Sequence, residues 1–402
     1  MVSRRSVIIF VIAIGFLGMA DGISQTSFNN YLDSTFHITA EQRGDLELPR
    51  EFPGFMVALL AGALIFMGDA NLAAASSALI GLGMIGMAVL ANRESQYVNM
   101  VIFAVAWSTG SHLMMPISQS LTLSLSEEGR MGEQLGRLGA VRAIATVVGC
   151  GLVIVNFWLW PQGFPTVFSL GAAAAVLAAF AFMALHRAMP TVHRSERRRM
   201  VLKKRYWLFY VLSVLYGARK QVFLTFGPWV LVRVFDQTPQ TFAILWIIAT
   251  GLTVVSLPWV GRMVDRVGPR VVLTADAVLL LLVCMTYGFA RDLLPAGLAF
   301  FFVCGAYVMD QMLFPVQMAR TVYLSRIAED RRDVTPSLSM SISIDHAVSI
   351  PIAMLGGRLW LATGYRWVFA AAGAVALLML AACQFIRVGP PHRDLTAGEA
   401  PA

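Results

Sequence analysis

Charged residues are scarce in this sequence. Asp, Glu, Lys and Arg make up 13% of its 402 residues, about half the share of a soluble domain. With 57% of residues hydrophobic, that scarcity excludes an ordinary water-soluble domain. Cysteine is scarcer still. Cys150, Cys284, Cys304 and Cys383 all lie in apolar runs, without a CxxC or Cys/His cluster, and are read as small packing residues with no disulfide or metal role. Also missing are a Ser/His/Asp set at interpretable spacing, an HExxH motif, a glycine-rich phosphate loop and an appended soluble domain. An enzyme is therefore not expected, nor a cofactor, a bound metal or ATP hydrolysis.

Long apolar runs, by contrast, are abundant. About twenty apolar residues cross the hydrocarbon core of a bilayer, and such runs recur from Ser6 to Arg387. They predict twelve transmembrane helices. The first six cover roughly 6–31, 44–67, 71–91, 96–123, 133–157 and 164–187. The second six cover roughly 206–232, 239–260, 270–290, 293–321, 335–357 and 364–387. The first run follows Arg4 and Arg5 but is too long for a signal-peptide core, so it is kept as a helix. Small residues such as Gly81, Gly83 and Gly86 let helices approach closely where no water drives packing. The expected fold class is all-α integral membrane, with an N-terminal six-helix bundle at 1–188 and a C-terminal one at 206–388. A basic cytoplasmic linker at 189–205 joins them, and 389–402 is expected to be a disordered tail.

The net charge of +8 does not imply nucleic acid, because the basic residues gather between apolar spans. The stretch from His186 to Arg205 is short and lacks interleaved aromatics, so it is read as a linker resting on anionic headgroups. Placing both termini in the cytoplasm puts twenty-one Lys and Arg there, among them Arg320. Six fall outside: Arg43, Arg93, Arg233, Arg291, Arg358 and Arg366. Arg50, Arg142, Arg219 and Lys220 stay within the membrane. The positive-inside rule favours this topology, in a bacterial inner membrane.

Three motifs carry a family resemblance. Between the eighth and ninth spans stand Gly261, Asp265, Arg266, Gly268 and Arg270, similar to G-x-x-x-D-R-x-G-R-R. Here Gly261 would permit close helix contact, and Asp265 would meet a neighbouring helix N-terminus. Ser126 to Gly139, with Arg130 and Gly136, looks like the loop before a fifth helix. Pro351, Gly356, Gly357 and Gly364 to Phe369 resemble a junction of helices eleven and twelve. Together these resemble the major facilitator superfamily. The departures are specific: Gly68 to Asn71 has lost the basic residues of the matching loop, no arginine stands near Ala104, and Gly149-Cys-Gly151 lacks the Gly-Pro pair of many drug:proton antiporters. The resemblance implies two halves rocking around a central site. Helices 1, 4, 7 and 10 would line it, and helices 2, 5, 8 and 11 would border and gate it.

Ionisable groups inside a membrane are costly and mark working sites. Asp21 sits near the middle of the first span, flanked by Gly18 and Gly22. His112 is central in the fourth span and Arg142 in the fifth; Arg142 cannot shed its charge, and Asp21 is its plausible partner. Arg219, Lys220 and Gln221 form the densest cluster, with the two cations about 100° apart around the helix. Asp310 and Gln311 lie in the tenth span, Asp345 and His346 in the eleventh; Asp276, near its helix start, reads as structural. These ten, Asp276 apart, are the candidates for substrate binding or proton coupling. In the second span Arg50 is three residues from Glu47, and Glu51 is four from it. The trio is either an outer gate or a static, wetted mouth. With Gly261, Asp265, Arg266 and Arg270 it completes the gating candidates.

The expected function is secondary active transport by alternating access, carried out by a monomer in the lipid bilayer. Protons are the expected coupling ion, and the substrate a small polar or anionic organic solute. The competing expectation is efflux of amphipathic drugs or lipid-like compounds through a cavity walled by Met114, Met115, Phe223, Phe226 and Trp229.

Overall fold

The structure, a computed structural model, describes residues 4–56, 67–125, 131–188, 202–330 and 333–387. The inner part of the second expected span, part of the Ser126 loop, most of the linker and the tail lie outside these residues.

Thirteen helices follow one another among the described residues, joined by short turns and with no strand. Helix α1 (Arg4–Phe36) opens the chain. Two short helices come next, α2 (Ala40–Asp45) and α3 (Glu47–Phe55), where one long span was expected. The reason is local. A capping box between Thr39 and Gln42 starts α2. Pro49 fits the start of α3, and Pro53 lies inside it. Then come α4 (Asp69–Leu90), α5 (Tyr97–Leu125), α6 (Met131–Leu159) and α7 (Phe164–Ala188). The second part holds α8 (Trp207–Arg233), α9 (Pro239–Leu293), α10 (Ala296–Leu313), α11 (Met318–Ile327), α12 (Val334–Thr363) and α13 (Tyr365–Gln384).

Helix α9 runs 55 residues, with one break: Gly268 takes φ 84° and ψ 162°. That left-handed backbone suits glycine, and Pro269 follows it. Nine helical stretches are long and apolar enough to cross a membrane among the described residues. Large apolar side chains face outward as well as inward: Trp158, Phe301 and Val255 are 78%, 71% and 69% exposed. Water would not tolerate such a surface, and lipid accepts it.

Buried apolar residues form two clusters. One gathers Phe10, Phe28, Tyr31, Trp107, Phe168 and Phe182 around α1, α4, α5 and α7. The other gathers Phe209, Phe226, Phe242, Tyr287 and Phe369 around α8, α9 and α13. Helix α6 and α1 pack against α9, and α2 and α3 pack against α12.

Contacts between these two parts concentrate at the C-terminal end of α1. Asn30 donates to the Gln237 carbonyl at 2.6 Å, and Arg233 pairs with Asp33 at 2.7 Å. Arg358 approaches Glu41 at 3.5 Å and Asp45 at 3.9 Å. Backbone meets backbone there too. A β-carbon on Gly357 would lie 2.5 Å from the Ala40 carbonyl oxygen, and one on Gly44 would strike that of Ala353. Toward the opposite end, a β-carbon on Gly136, Gly139 or Gly261 would meet no described neighbour within 4 Å. The described residues thus close the molecule at the end where α1 finishes.

Where the linker reaches α8, Lys203 pairs with Asp333 at 2.5 Å and Tyr206 donates to the same carboxylate at 2.8 Å. The hydrogen bond from Lys203, then that from Tyr206, holds the Asp333 carboxyl below its ordinary value of 3.8; the bond to Asp333 holds Lys203 above 10.5. A lowered carboxylate stabilises above its unfolded value and loses that contribution as pH falls through the folded one. The raised lysine contributes below its unfolded value and loses it as pH rises through the folded one. Asp333→Asn is therefore expected to lower the thermal midpoint by a constant increment at neutral pH. The increment should begin to fall below about pH 4 and be lost as pH passes through the still lower folded value of Asp333; one that stays constant throughout that fall would remove the ion pair as its cause.

Candidate functional site

A cavity of about 370 Å³ lies between the two parts. Its described wall comes from α1, α2, α3, α4, α5 and α6, with only Lys220, Leu224 and His346 from the second part.

Nearer the end where α1 begins stands the pair Asp21 and Arg142, 2.5 Å apart, with side chains 35% and 53% exposed. Glycine makes the meeting possible. A β-carbon on Gly18 would come within 2.7 Å of the Arg142 carbonyl oxygen, and one on Gly22 would strike that of Thr146. Without those β-carbons α6 lies directly on α1, and Arg142 reaches across to Asp21.

Deeper in, Glu47 is held by Arg50 at 2.6 Å and, more closely, by Arg43. Arg43 also donates to Asn29 at 3.0 Å. The Arg50 guanidinium lies 4.7 Å from the Phe28 ring centre and 5.2 Å from that of Trp107, a cation–π cradle that lets its charge stay in an apolar wall. Arg43, counted on the outer side by the charge distribution, is 2% exposed; Glu47 and Asn29 together satisfy it.

Beside this lies a third group. His346 Nδ1 is 2.7 Å from Glu51 Oε2. The His112 and His346 rings meet edge to face with centres 4.9 Å apart. His112 Nδ1 lies 2.9 Å from the Ser108 carbonyl and 3.1 Å from its hydroxyl, and that hydroxyl donates to the Arg50 carbonyl at 2.5 Å.

Of the residues expected from sequence, Asp21, Glu47, Arg50, Glu51, His112, Arg142, Lys220 and His346 line this one cavity. Others do not. Arg219 and Lys220 diverge around α8: Lys220 enters the cavity, and Arg219 turns away to pair with Asp310 at 3.1 Å, the side chains 1% and 5% exposed. Gln221 donates to Thr225. Gln311 is half-buried beside Asp310, and Asp345 is half-buried with Oδ1 unbonded among the described residues. Asp276 is buried too, and its charge faces Arg219 and Arg320.

Arg320, counted on the cytoplasmic side by the charge distribution, is likewise buried, 5% exposed and 3.8 Å from the Tyr216 ring centre. Its place one residue inside the expected end of its span was the available signal. In the signature loop a β-carbon on Gly261 would meet no described neighbour within 4 Å, and Asp265, Arg266 and Arg270 are exposed; Arg270 donates to Gln384 at 3.1 Å. Asn29, Ser108, Ser111 and Trp107 complete the wall without a sequence signal, being uncharged residues common in any helix.

No curated protein sequence matches the chain. Among solved structures, the nucleoside transporter NupG superposes with a TM-score of 0.76 at 13% identity, over 95% of this chain and 98% of that one. A POT family transporter in complex with 5-aminolevulinic acid gives 0.71 at 11% identity, covering 94% and 95%. A bacterial homolog of the human lysosomal transporter Spinster, inward-facing and occupied, gives 0.66 at 14%, covering 95% and 96%. The sequence profile of the Major Facilitator Superfamily matches residues 10–342. A chain that is helical with no strand among its described residues, with a polar cavity between its two parts, that match and that fold, belongs to the Major Facilitator Superfamily: it is a multi-pass membrane transporter, not an enzyme.

Proposed function

We propose that the protein is a secondary active transporter that works by alternating access, coupled to protons, and carries a small polar or anionic organic solute. The observation that carries this reading is the single cavity that gathers Asp21, Arg142, Lys220, Glu51, His112 and His346. Carboxylate and imidazole are groups whose protonation a gradient can drive. Arg142 and Lys220 supply fixed positive charge for a carboxylate or phosphate. Two of the similar folds carry nucleosides or hold 5-aminolevulinic acid, which are small polar molecules.

The architecture of this reading is twelve spans in two six-helix bundles, 1–188 and 206–388, joined by a linker at 189–205. A straight helix of 55 residues would be about 80 Å long, far beyond a core of about 30 Å, so α9 counts as two spans broken at Gly268. Helix α8 joins the count despite Arg219 and Lys220, as does the segment that α2 and α3 begin. With both termini in the cytoplasm, the shut end faces outward and the cavity opens inward. Glu47, Arg50 and Glu51 then act at the outer gate, and Gly261, Asp265, Arg266 and Arg270 at the inner one.

Efflux of amphipathic compounds is the weaker reading. Met114 and Met115 do line the cavity, but Phe223, Phe226 and Trp229 belong to the packed cores.

Uptake into proteoliposomes under an imposed pH gradient tests the function. A gradient is expected to drive accumulation, and a flat response would end the proton coupling. Asp21→Asn and Arg142→Gln are each expected to reduce transport at least about tenfold, the cost of about 1.4 kcal/mol or more. The exchanged pair, Asp21→Arg with Arg142→Asp, should recover part of it. Undiminished transport in both single variants would remove the pair from the mechanism.

A further inference from the structure

Glu51, His112 and His346 are brought together from three helices that span almost the whole chain, and ion-pairing does not account for all of their arrangement. One donor atom from each lies within 4.8 Å of the other two, and all three residues are buried. A tetrahedral Zn²⁺ site with bonds of about 2.0–2.1 Å sets its ligand atoms about 3.3 Å apart. The cluster is thus within small rotations of that geometry; the Glu51–His346 contact of 2.7 Å opens as a metal replaces the shared proton.

Two further observations point the same way. The first is the environment of His112. Its Nδ1 faces the Ser108 carbonyl at 2.9 Å. A ring that donates there leaves Nε2 as a bare lone pair. That is how histidines that ligate metals are oriented, the far nitrogen being fixed by a backbone carbonyl. The second is Gly54. A β-carbon there would stand 2.7 Å from His112 Nε2 and 2.7 Å from His346 Cε1. The two imidazoles therefore close over a residue with no side chain, and the space that any other residue would fill remains theirs.

We propose that Glu51, His112 and His346 form a binding site for a divalent transition-metal ion of the Zn²⁺, Co²⁺ or Ni²⁺ kind. Two imidazoles and one carboxylate suit such borderline ions and not Mg²⁺ or Ca²⁺, which take oxygen. A fourth position faces the cavity. Lys220 lines the same cavity and opposes the ion's charge, while Glu51 and, one residue from His346, Asp345 favour it. The ligands come from α3 and α5 on one side and α12 on the other. An occupied site therefore ties the two parts together near the shut end. The site itself stands on geometry alone; only this bracing role rests on the alternating-access reading.

Zn²⁺ titration of the full-length protein, stripped of metal and purification tag, tests the proposal by calorimetry without solute or gradient. One ion per chain is expected. His112→Gln and His346→Gln should each weaken binding at least about tenfold. His186→Gln, which alters a ring bonded to Asn71 elsewhere, should not. Absence of binding, or binding unchanged in the two variants, overturns the site. Wild-type protein loaded with Cu²⁺ gives a reading free of any folding defect: electron spin-echo modulation should show two imidazoles, and one or none overturns the site. Because neither measurement needs transport, a missing metal site leaves proton-driven uptake standing, and failed uptake leaves the metal site standing.

Discussion

Asp310→Asn is expected to destabilise the protein by about 3–5 kcal/mol, the range for breaking one side of a buried ion pair. The partner left behind is Arg219, 1% exposed, with Nε and Nη1 already unbonded among the described residues. A guanidinium cannot shed its proton to escape this. Asp276 faces Arg219 from α9 and supplies part of the missing charge, which draws the effect toward the lower end. The reciprocal change should cost less. Arg219→Gln leaves Asp276 and Asp310 together, and a carboxylic acid can take up a proton and become neutral. The double variant Arg219→Leu with Asp310→Leu should recover most of the loss, because apolar replacements of a buried pair are often nearly neutral. Thermal unfolding in detergent measures all three. Equal losses in the two single variants would show that charge is not the cause.

The second large effect concerns movement. Gly357→Val is expected to reduce transport by roughly five- to 150-fold, the population shift that an overpacking cost of about 1–3 kcal/mol produces. The obstacle is backbone on both sides. A β-carbon at 357 would meet the Ala40 carbonyl oxygen at 2.5 Å and the Glu41 α-carbon at 2.9 Å. No flexible side chain can swing aside there, so the two parts must separate. The change leaves the packing within each part intact, and the unfolding midpoint should stay close to wild type. The shut end should spend more time open. A cysteine in place of Asn29, which lines the cavity, would then react faster with an impermeant maleimide in the Gly357→Val background. Unchanged labelling with normal transport would mean that the contact is not needed for closure.

These two sites differ in how visible they were in the sequence. Membrane spans were legible because a bilayer imposes a length and apolarity that few other environments do. The meeting of Asp21 and Arg142 was legible because one charge near a membrane centre demands another, and glycines flank Asp21. The turning away of Arg219 was not. One residue of rotation separates it from Lys220, and apolar residues surround both, so periodicity cannot say which one faces the void. The burial of Arg43 and Arg320 was not legible, because counting charges at helix ends assumes water there. Asn29, Glu47 and Tyr216 provide substitutes for water that only folding assembles. The approach of His112 to His346 was invisible for a related reason: it depends on how two separately packed parts meet, and hydropathy records only where each helix lies.

The lopsided wall of the cavity has one more consequence. Lys220, Leu224 and His346 are the second part's whole share among the described lining residues. On the proposed reading, most of what a solute touches is written before residue 143, so substitutions that change which solute is carried are expected to fall mainly in the earlier stretch of the chain.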